Sequence, residues 1–322
     1  MNTFFTPTIS QTATVMPINE GKSDEGIKPN SKKKDNMSEF IEYSVRHPTL
    51  DLTKITLPKY KDQKERLNET TISLRNMISQ CEDDELKATM KSLNNQEIQK
   101  FLYARKFMVE ESFTLLKNYL SYKKRHPEIY ENLTITAMDI KKSLENGLPG
   151  VLRQKDRKGR CILLFTGNNW DCSYSLQTIF RAFLLVLEHL IEHVHNQSNG
   201  FVVIVDWTEF TFRQSTYLKP SVLRLMIEGL QDCFPARFKG IHFIAQPWYV
   251  ETALALIKPF LNEKVKERIF VHGNNLSTLH EHVHKDVLPA ELGGEEPSYD
   301  HRTFLDMLQE RLGYEKQNHD TS

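Results

Sequence analysis

From Gly147 onward the chain alternates short apolar runs with segments of helical length, and this alternation restricts the fold more than any other property of the sequence. Residues 150–154 and 161–165 read as two strands around the turn DRKG, where Gly159 supplies the permissive backbone. Residues 176–195 form a long helix, 201–205 a continuously apolar strand, and 219–231 a helix with Pro220 in its first turn. Residues 240–245 and 268–272 are further strands, separated by a helix that Pro247 opens and Pro259 closes. Strands that are apolar throughout are buried on both faces, and strands joined through helices run parallel. The order therefore predicts an α/β fold with a largely parallel sheet.

The remainder is organised around that sheet. Residues 1–45 are rich in Thr, Ser, Asn, Lys and Pro with little periodicity, which predicts a disordered tail, and the Lys32 to Lys34 triplet reads as part of it. Between 57 and 126 the pattern turns helical, in three or four short helices that Pro127 terminates. The third should be capped by the Asn95 side chain, and Phe101, Leu102, Phe113, Leu116, Tyr119 and Leu120 recur at helical spacing. Beyond the last strand, 276–287 reads as a helix capped by Asn275 or Ser277, and 304–312 as a final one. The expected divisions are a tail (1–45), an all-helical N-terminal subdomain (46–130), the α/β domain (131–300) and a C-terminal helix and tail (301–322).

Composition excludes several classes. Lys plus Arg and Asp plus Glu are 42 each, so no global field draws in nucleic acid, and a basic site must come from local clustering. The longest apolar run is about AFLLVL at 182–187, well short of the ~18 residues of a membrane span. The N-terminus, MNTFFTPTISQTATVMP, lacks a basic region and an apolar core of the secretory kind, so a cytoplasmic location is expected. Cys81, Cys161, Cys172 and Cys233 show no zinc spacing and are expected as free thiols.

The segment 248–257 stands out. Trp248, Tyr249, Val250, Ala253, Leu254, Leu256 and Ile257 spread over more than the ~100° arc that a half-buried helix needs. Such a helix requires two apolar neighbours, and the second can be the protein core, a bound apolar ligand or a membrane surface. Arg237 and Lys239 precede the strand before it, and Lys264, Lys266 and Arg268 the strand after it, so basic residues frame it at both ends. That frame suits an anionic lipid surface, although charges at element ends are also the ordinary solvated arrangement.

A catalytic constellation is hard to find. His280-Glu281-His282-Val283-His284 satisfies H-E-x-x-H, the zinc hydrolase pattern, but Pro289 follows a turn later and no third ligand is in range, so a structural role is expected. His189 and His193 form a second i, i+4 pair with a still weaker case. Asp206, at the carboxyl end of an apolar strand, is expected to make a structural hydrogen bond. No nucleophile elbow, phosphate-binding glycine loop or dinucleotide fingerprint is present, and neither a metal nor a cofactor is expected. The large apolar residues on 176–195 and 219–231 fill a core or line a cavity.

The strings FLYARKF, LLKNYLSYKKRHPE, GLPGVLRQKDRKGR, NGFVVIVDW, IEGLQDCFPARFKGIHFIAQPWY, IKPFLNEKVKERIFVHGNN and LPAELGG closely resemble the CRAL-TRIO lipid-binding family, and within it most of all the clavesin subgroup. The resemblance covers about residues 60–300. It implies a helical N-terminal subdomain and an α/β lipid cage closed by a mobile helical gate, which would be 248–257. By similarity to the tocopherol carriers of that family, a phosphoinositide headgroup would be held by Arg105, Arg237, Lys239, Lys264 and Arg268. The apolar ligand cavity would be lined by Phe165, Phe180, Leu184, Leu187, Val205, Met226, Leu230, Phe234 and Ile241, with gate residues Tyr249, Ala253 and Leu256. Several cavity residues differ in type from the tocopherol carriers, so tocopherol itself is not implied. The clavesin resemblance implies a non-enzymatic lipid carrier that binds phosphatidylinositol 3,5-bisphosphate, sits peripherally on endosomal or trans-Golgi membranes and associates with the clathrin machinery. Two other readings stand beside it, a phosphoinositide-reading trafficking adaptor that never releases cargo and a zinc hydrolase.

Overall fold

The computed structural model describes residues 57–319, with side chains for 63–312; the tail read at 1–45 and the Lys32 to Lys34 triplet lie outside the described residues. The described residues all belong to one compact unit, Ile41–Ser322. Four helices lead it: α1 (Leu57–Ser79), α2 (Asp84–Ser92), α3 (Asn95–Ala104) and α4 (Val109–Arg125). Their shared core is Leu74, Ile78, Met90, Ile98, Leu102 and Leu116. The cap of α3 is Asn94 and not Asn95: Asn94 Oδ1 accepts from Glu97 N at 3.0 Å while the Glu97 carboxylate takes the Asn94 N–H. This reciprocal pair satisfies two orphan amides, and Asn95 instead accepts from Arg75 Nε at 3.1 Å.

The five-stranded sheet has the order β1 (Gly150–Val151), β2 (Cys161–Thr166), β3 (Phe201–Asp206), β4 (Phe238–Ile244), β5 (Ile269–Gly273). Only β1 runs antiparallel, paired to β2 across the turn where Gly159 has φ 69°. The remaining pairs are parallel, as helical crossovers require. After α5 (Met138–Glu145), the crossovers contain α6 (Leu176–Leu190), α7 (Pro220–Glu228) and α8 (Trp248–Ile257). Two helices follow the sheet, the short α9 (Leu276–His280) and the long α10 (His301–His319).

Strand alternation divides the sheet into two unlike faces. Ile162, Leu164, Val202, Ile204 and Ile244 pack on Leu279, Val283, Val287, Leu288 and Leu292 in a closed core. The opposite face, with Phe165, Val203, Val205, Ile241 and Phe243, looks into a cavity.

Three helices are shorter than their periodicity suggested. α6 stops because Asn196 Nδ2 and Gln197 Nε2 donate to the carbonyls of Leu190 and Ile191, at 2.8 and 2.5 Å, which a continuing helix would have used. α7 passes at Gly229 into a π-helical turn, Gly229–Cys233. α9 ends at His280, and the chain beyond it, with 3-10 turns at Lys285–Val287 and Ala290–Leu292, brings Val283, Val287 and Leu292 onto the closed face of the sheet.

Candidate functional site

A cavity of about 650 Å³ lies between the open face of the sheet, α7 and α8. Its middle is apolar. On β4 the residues Lys239, Ile241 and Phe243 all face it, since they are two apart, while His242 points to the other face. β3 adds Val203 and Val205, and α8 covers them with Val250, Ala253, Leu254 and Ile257 at helical spacing.

One end of this cavity is basic. β4 and β5 are parallel, so the residues at their amino ends, Arg237, Lys239, Lys264 and Arg268, collect at a single edge of the sheet, and the turn after α3 brings Arg105 to the same place. All five sequence candidates for headgroup binding therefore line one cavity end. Two of the arginines are positioned by backbone oxygens: Arg237 Nη1 donates to Ser198 O at 2.9 Å and Arg268 Nη1 to Phe238 O at 2.5 Å. Lys106, which the sequence reading passed over although it stands in the same ARKF string, is a sixth cation here. Its left-handed backbone, φ 54°, turns the chain at the cavity edge. Against these six stand only two carboxylates in the wall, Glu111 and Asp232.

The cations feel one another. Burial, followed by the charges of Arg237, Arg268, Lys106 and Lys264, lowers the Lys239 ammonium to about 8. Burial and then Arg268 lower Arg237, and burial lowers Lys264, with Arg268 again the largest charge against it. For Arg105 burial also dominates, opposed by Glu111 and Asp232. An anion of several charges entering this end would relieve that repulsion and find donors already aimed.

Of the apolar candidates, Phe165, Val205, Met226, Leu230, Ile241 and Ala253 stand in the cavity wall, whereas Phe180, Leu184, Leu187, Phe234, Tyr249 and Leu256 do not. On α6, Leu176, Ile179 and Phe183 reach the cavity, while Phe180, Leu184 and Leu187 are fully buried outside its wall. The apolar face of α6 is broad, and its sequence gives no sign of which of those residues meets a hollow. Phe234 meets Tyr119 edge-on at 6.3 Å beneath the first helices. The Tyr249 hydroxyl donates to the Phe210 carbonyl, and Leu256 points outward. Phe183, Val203, Trp207 and Phe243 are wall residues the sequence reading did not select.

α8 buries only Val250 completely. Its outer side presents Trp248 and Leu256, with Phe212 and Phe260 beside them, as exposed apolar side chains. The zinc pattern is dispersed: His280 Nε2 is hydrogen-bonded to Leu292 O at 2.8 Å, while His284 lies beyond α9 and pairs with Asp286 at 3.0 Å. No group of three or more candidate metal ligands exists among the described residues. Asp206 Oδ1 accepts from the backbone and hydroxyl of Thr208 at 2.9 and 2.7 Å. No helix among the described residues is long and apolar enough to cross a membrane.

By residues 145–294, a little under half of its length, the chain matches the CRAL/TRIO domain. It is 50% identical over 212 residues to Clavesin-1 of Xenopus laevis and to Clavesin-2 of Homo sapiens, which is 66% of this chain. The match spans 64% and 65% of those two relatives, a little under two thirds of their length. The crystal structure of Sfh5 superposes with a TM-score of 0.50 over 76% of this chain and 90% of that one; at 11% identity this likeness is one of fold alone.

Proposed function

We propose that this protein binds and transfers a lipid, holding a hydrophobic ligand in the cavity under α8 and recognising a phosphoinositide headgroup at the basic end. The observation that carries this reading is the continuity of one cavity, apolar along the sheet and α8 and lined at one end by six cations, four from the amino ends of β4 and β5 and two from the turn after α3. An apolar wall with few polar groups suits an acyl or isoprenoid chain, and clustered Arg and Lys suit phosphates. α8 fits a gate, because its inner side faces the cavity while its outer side offers apolar surface to a bilayer.

Phosphatidylinositol 3,5-bisphosphate as the headgroup, endosomal or trans-Golgi membranes as the location and the clathrin machinery as a partner belong to the same proposal through the resemblance to clavesins. No catalytic step is assigned to the cavity.

Mass spectrometry of an organic extract of the purified protein should find a stoichiometric lipid. Tying α8 to the body by an engineered disulfide should leave folding intact, stop lipid exchange between vesicles, and release the block on reduction. Equal exchange by the oxidised and reduced protein would make α8 a static part of the core. Headgroup binding without any exchange would instead favour an adaptor that keeps its cargo.

A further inference from the structure

The π-helical turn Gly229–Cys233 places Gln231 against the chain that leaves α8. Its side-chain amide spans the backbone around Leu261: Nε2 donates to Phe260 O at 3.1 Å, and Oε1 accepts from Asn262 N at 3.1 Å. Arg224 adds to this grip, with its guanidinium carbon 4.6 Å from the centre of the Phe260 ring. The second amide hydrogen of Gln231 goes to Asp232 Oδ2 at 2.9 Å. A primary amide has two donor hydrogens and one acceptor oxygen, so each hydrogen of Gln231 has its own partner.

Both of its connections lead to the basic end of the cavity. Asp232 is one of the two carboxylates whose charge acts on Arg105. Asn262 caps the short helix Glu263–Lys266 by accepting from Val265 N at 2.9 Å, and that helix carries Lys264 into the cavity wall. The end of α8 and the cation cluster are thus joined through one side chain.

We propose that Gln231 is a clasp that holds α8 closed and that a phosphorylated headgroup opens it. This inference rests on the reading of α8 as a gate. An anion that engages Lys264 draws on the short helix that Asn262 begins. Asn262 then shifts with Lys264, and the two bonds across Leu261 part together. A ligand shifts such an equilibrium only as far as it binds the open state better, and here the differential contact is with Lys264, whose helix the Asn262 bond restrains in the closed state. Gln231 is therefore a positioning residue, acting on the gate without touching the apolar ligand.

Hydrogen exchange in the protein alone tests the clasp without any assumption about cargo. Gln231→Leu should speed exchange of the Asn262 amide and of 248–260 about tenfold, equivalent to ~1.4 kcal/mol, and leave β3 unchanged. Adding phosphatidylcholine vesicles that contain phosphatidylinositol bisphosphate, or in a separate arm the soluble inositol bisphosphate headgroup, should speed the same amides in the native protein. Gln231→Leu should show no further gain in either arm. Acceleration by vesicles alone would mean that the bilayer, and not the anion, opens the gate, which overturns the coupling. Native exchange rates in Gln231→Leu, or an undiminished response to the headgroup, would overturn the clasp. A protein that shows the clasp but yields no lipid on extraction would refute the carrier reading alone.

Discussion

Phe212 and Trp248 stack with ring centroids 6.1 Å apart at 27°, yet the two residues are 60% and 68% exposed. A ring pair of that size left in water marks a surface that is covered in another state. If each ring buries roughly 80 Å² more on entering lipid, at ~25 cal/mol per Å² the gain is about 2 kcal/mol per ring. Phe212→Ala and Trp248→Ala should each weaken partition onto neutral vesicles by at least about tenfold, with Tm nearly unchanged. Equal partition of the double variant in a sedimentation assay would remove the bilayer from this face.

The basic end offers a cleaner test through its lysines than through its arginines. Arg237 and Arg268 also bond to backbone oxygens, so replacing them disturbs the strand ends as well as the charge. For Lys239→Ala with Lys264→Ala, at about 1 kcal/mol for each cation near an anionic surface, binding to phosphoinositide vesicles should fall roughly 25-fold. Tm should hold or rise, because mutual repulsion is relieved. Unaltered vesicle binding by the folded double variant would place the headgroup elsewhere.

Lys239 makes that binding depend on pH. Its ammonium is lowered to about 8 by burial and by Arg237, Arg268, Lys106 and Lys264, and only the protonated form attracts an anion. Affinity should therefore be full near pH 7 and decline as pH rises through about 8 toward 9, while Lys239→Arg, which stays charged, should be flat over that interval. An identical decline in Lys239→Arg would show that another group titrates.

Acid should destabilise the fold through its buried histidines. His242 and His189 are lowered to about 3 and His193 to about 4, in each case mainly by burial, and Arg311 donates to His193 Nε2 at 2.9 Å. A histidine ordinarily titrates near ~6.5, so the unfolded chain binds more protons below that value and stability falls with pH. Tm should be level above pH 7 and drop between about 6.5 and 4. His193→Gln, which retains an acceptor for Arg311, should drop less steeply.

Much of this could be read from residue order. Parallel strands were legible because their apolar runs alternate with helices, and the basic end because Arg237, Lys239, Lys264 and Arg268 stand at or just before the starts of β4 and β5. What was not legible depends on direction or on side-chain competition. Phe183 and Phe180 are adjacent aromatic residues on an apolar helix, and only the cavity distinguishes them. Asn94 and Asn95 are equally good caps, and Glu97, three residues beyond Asn94, decides between them. The ends of α6 were hidden because Asn196 and Gln197 reach back to carbonyls that helical periodicity assigns to the backbone.

The π-helical turn begins at a residue with no room for a side chain. A Cβ at Gly229 would come 2.9 Å from the Tyr122 hydroxyl and 3.1 Å from the Phe180 ring, and that hydroxyl donates to Leu225 O at 2.9 Å. Even alanine there would act as a wedge at the seam between α4 and α7. The displaced turn would carry Gln231 with it, so a methyl group placed deep in the interior would be felt at the surface as a loosened α8. Position 229 thus bears on two contacts at once, the packing of α4 against α7 and the hold of Gln231 on the chain beyond α8.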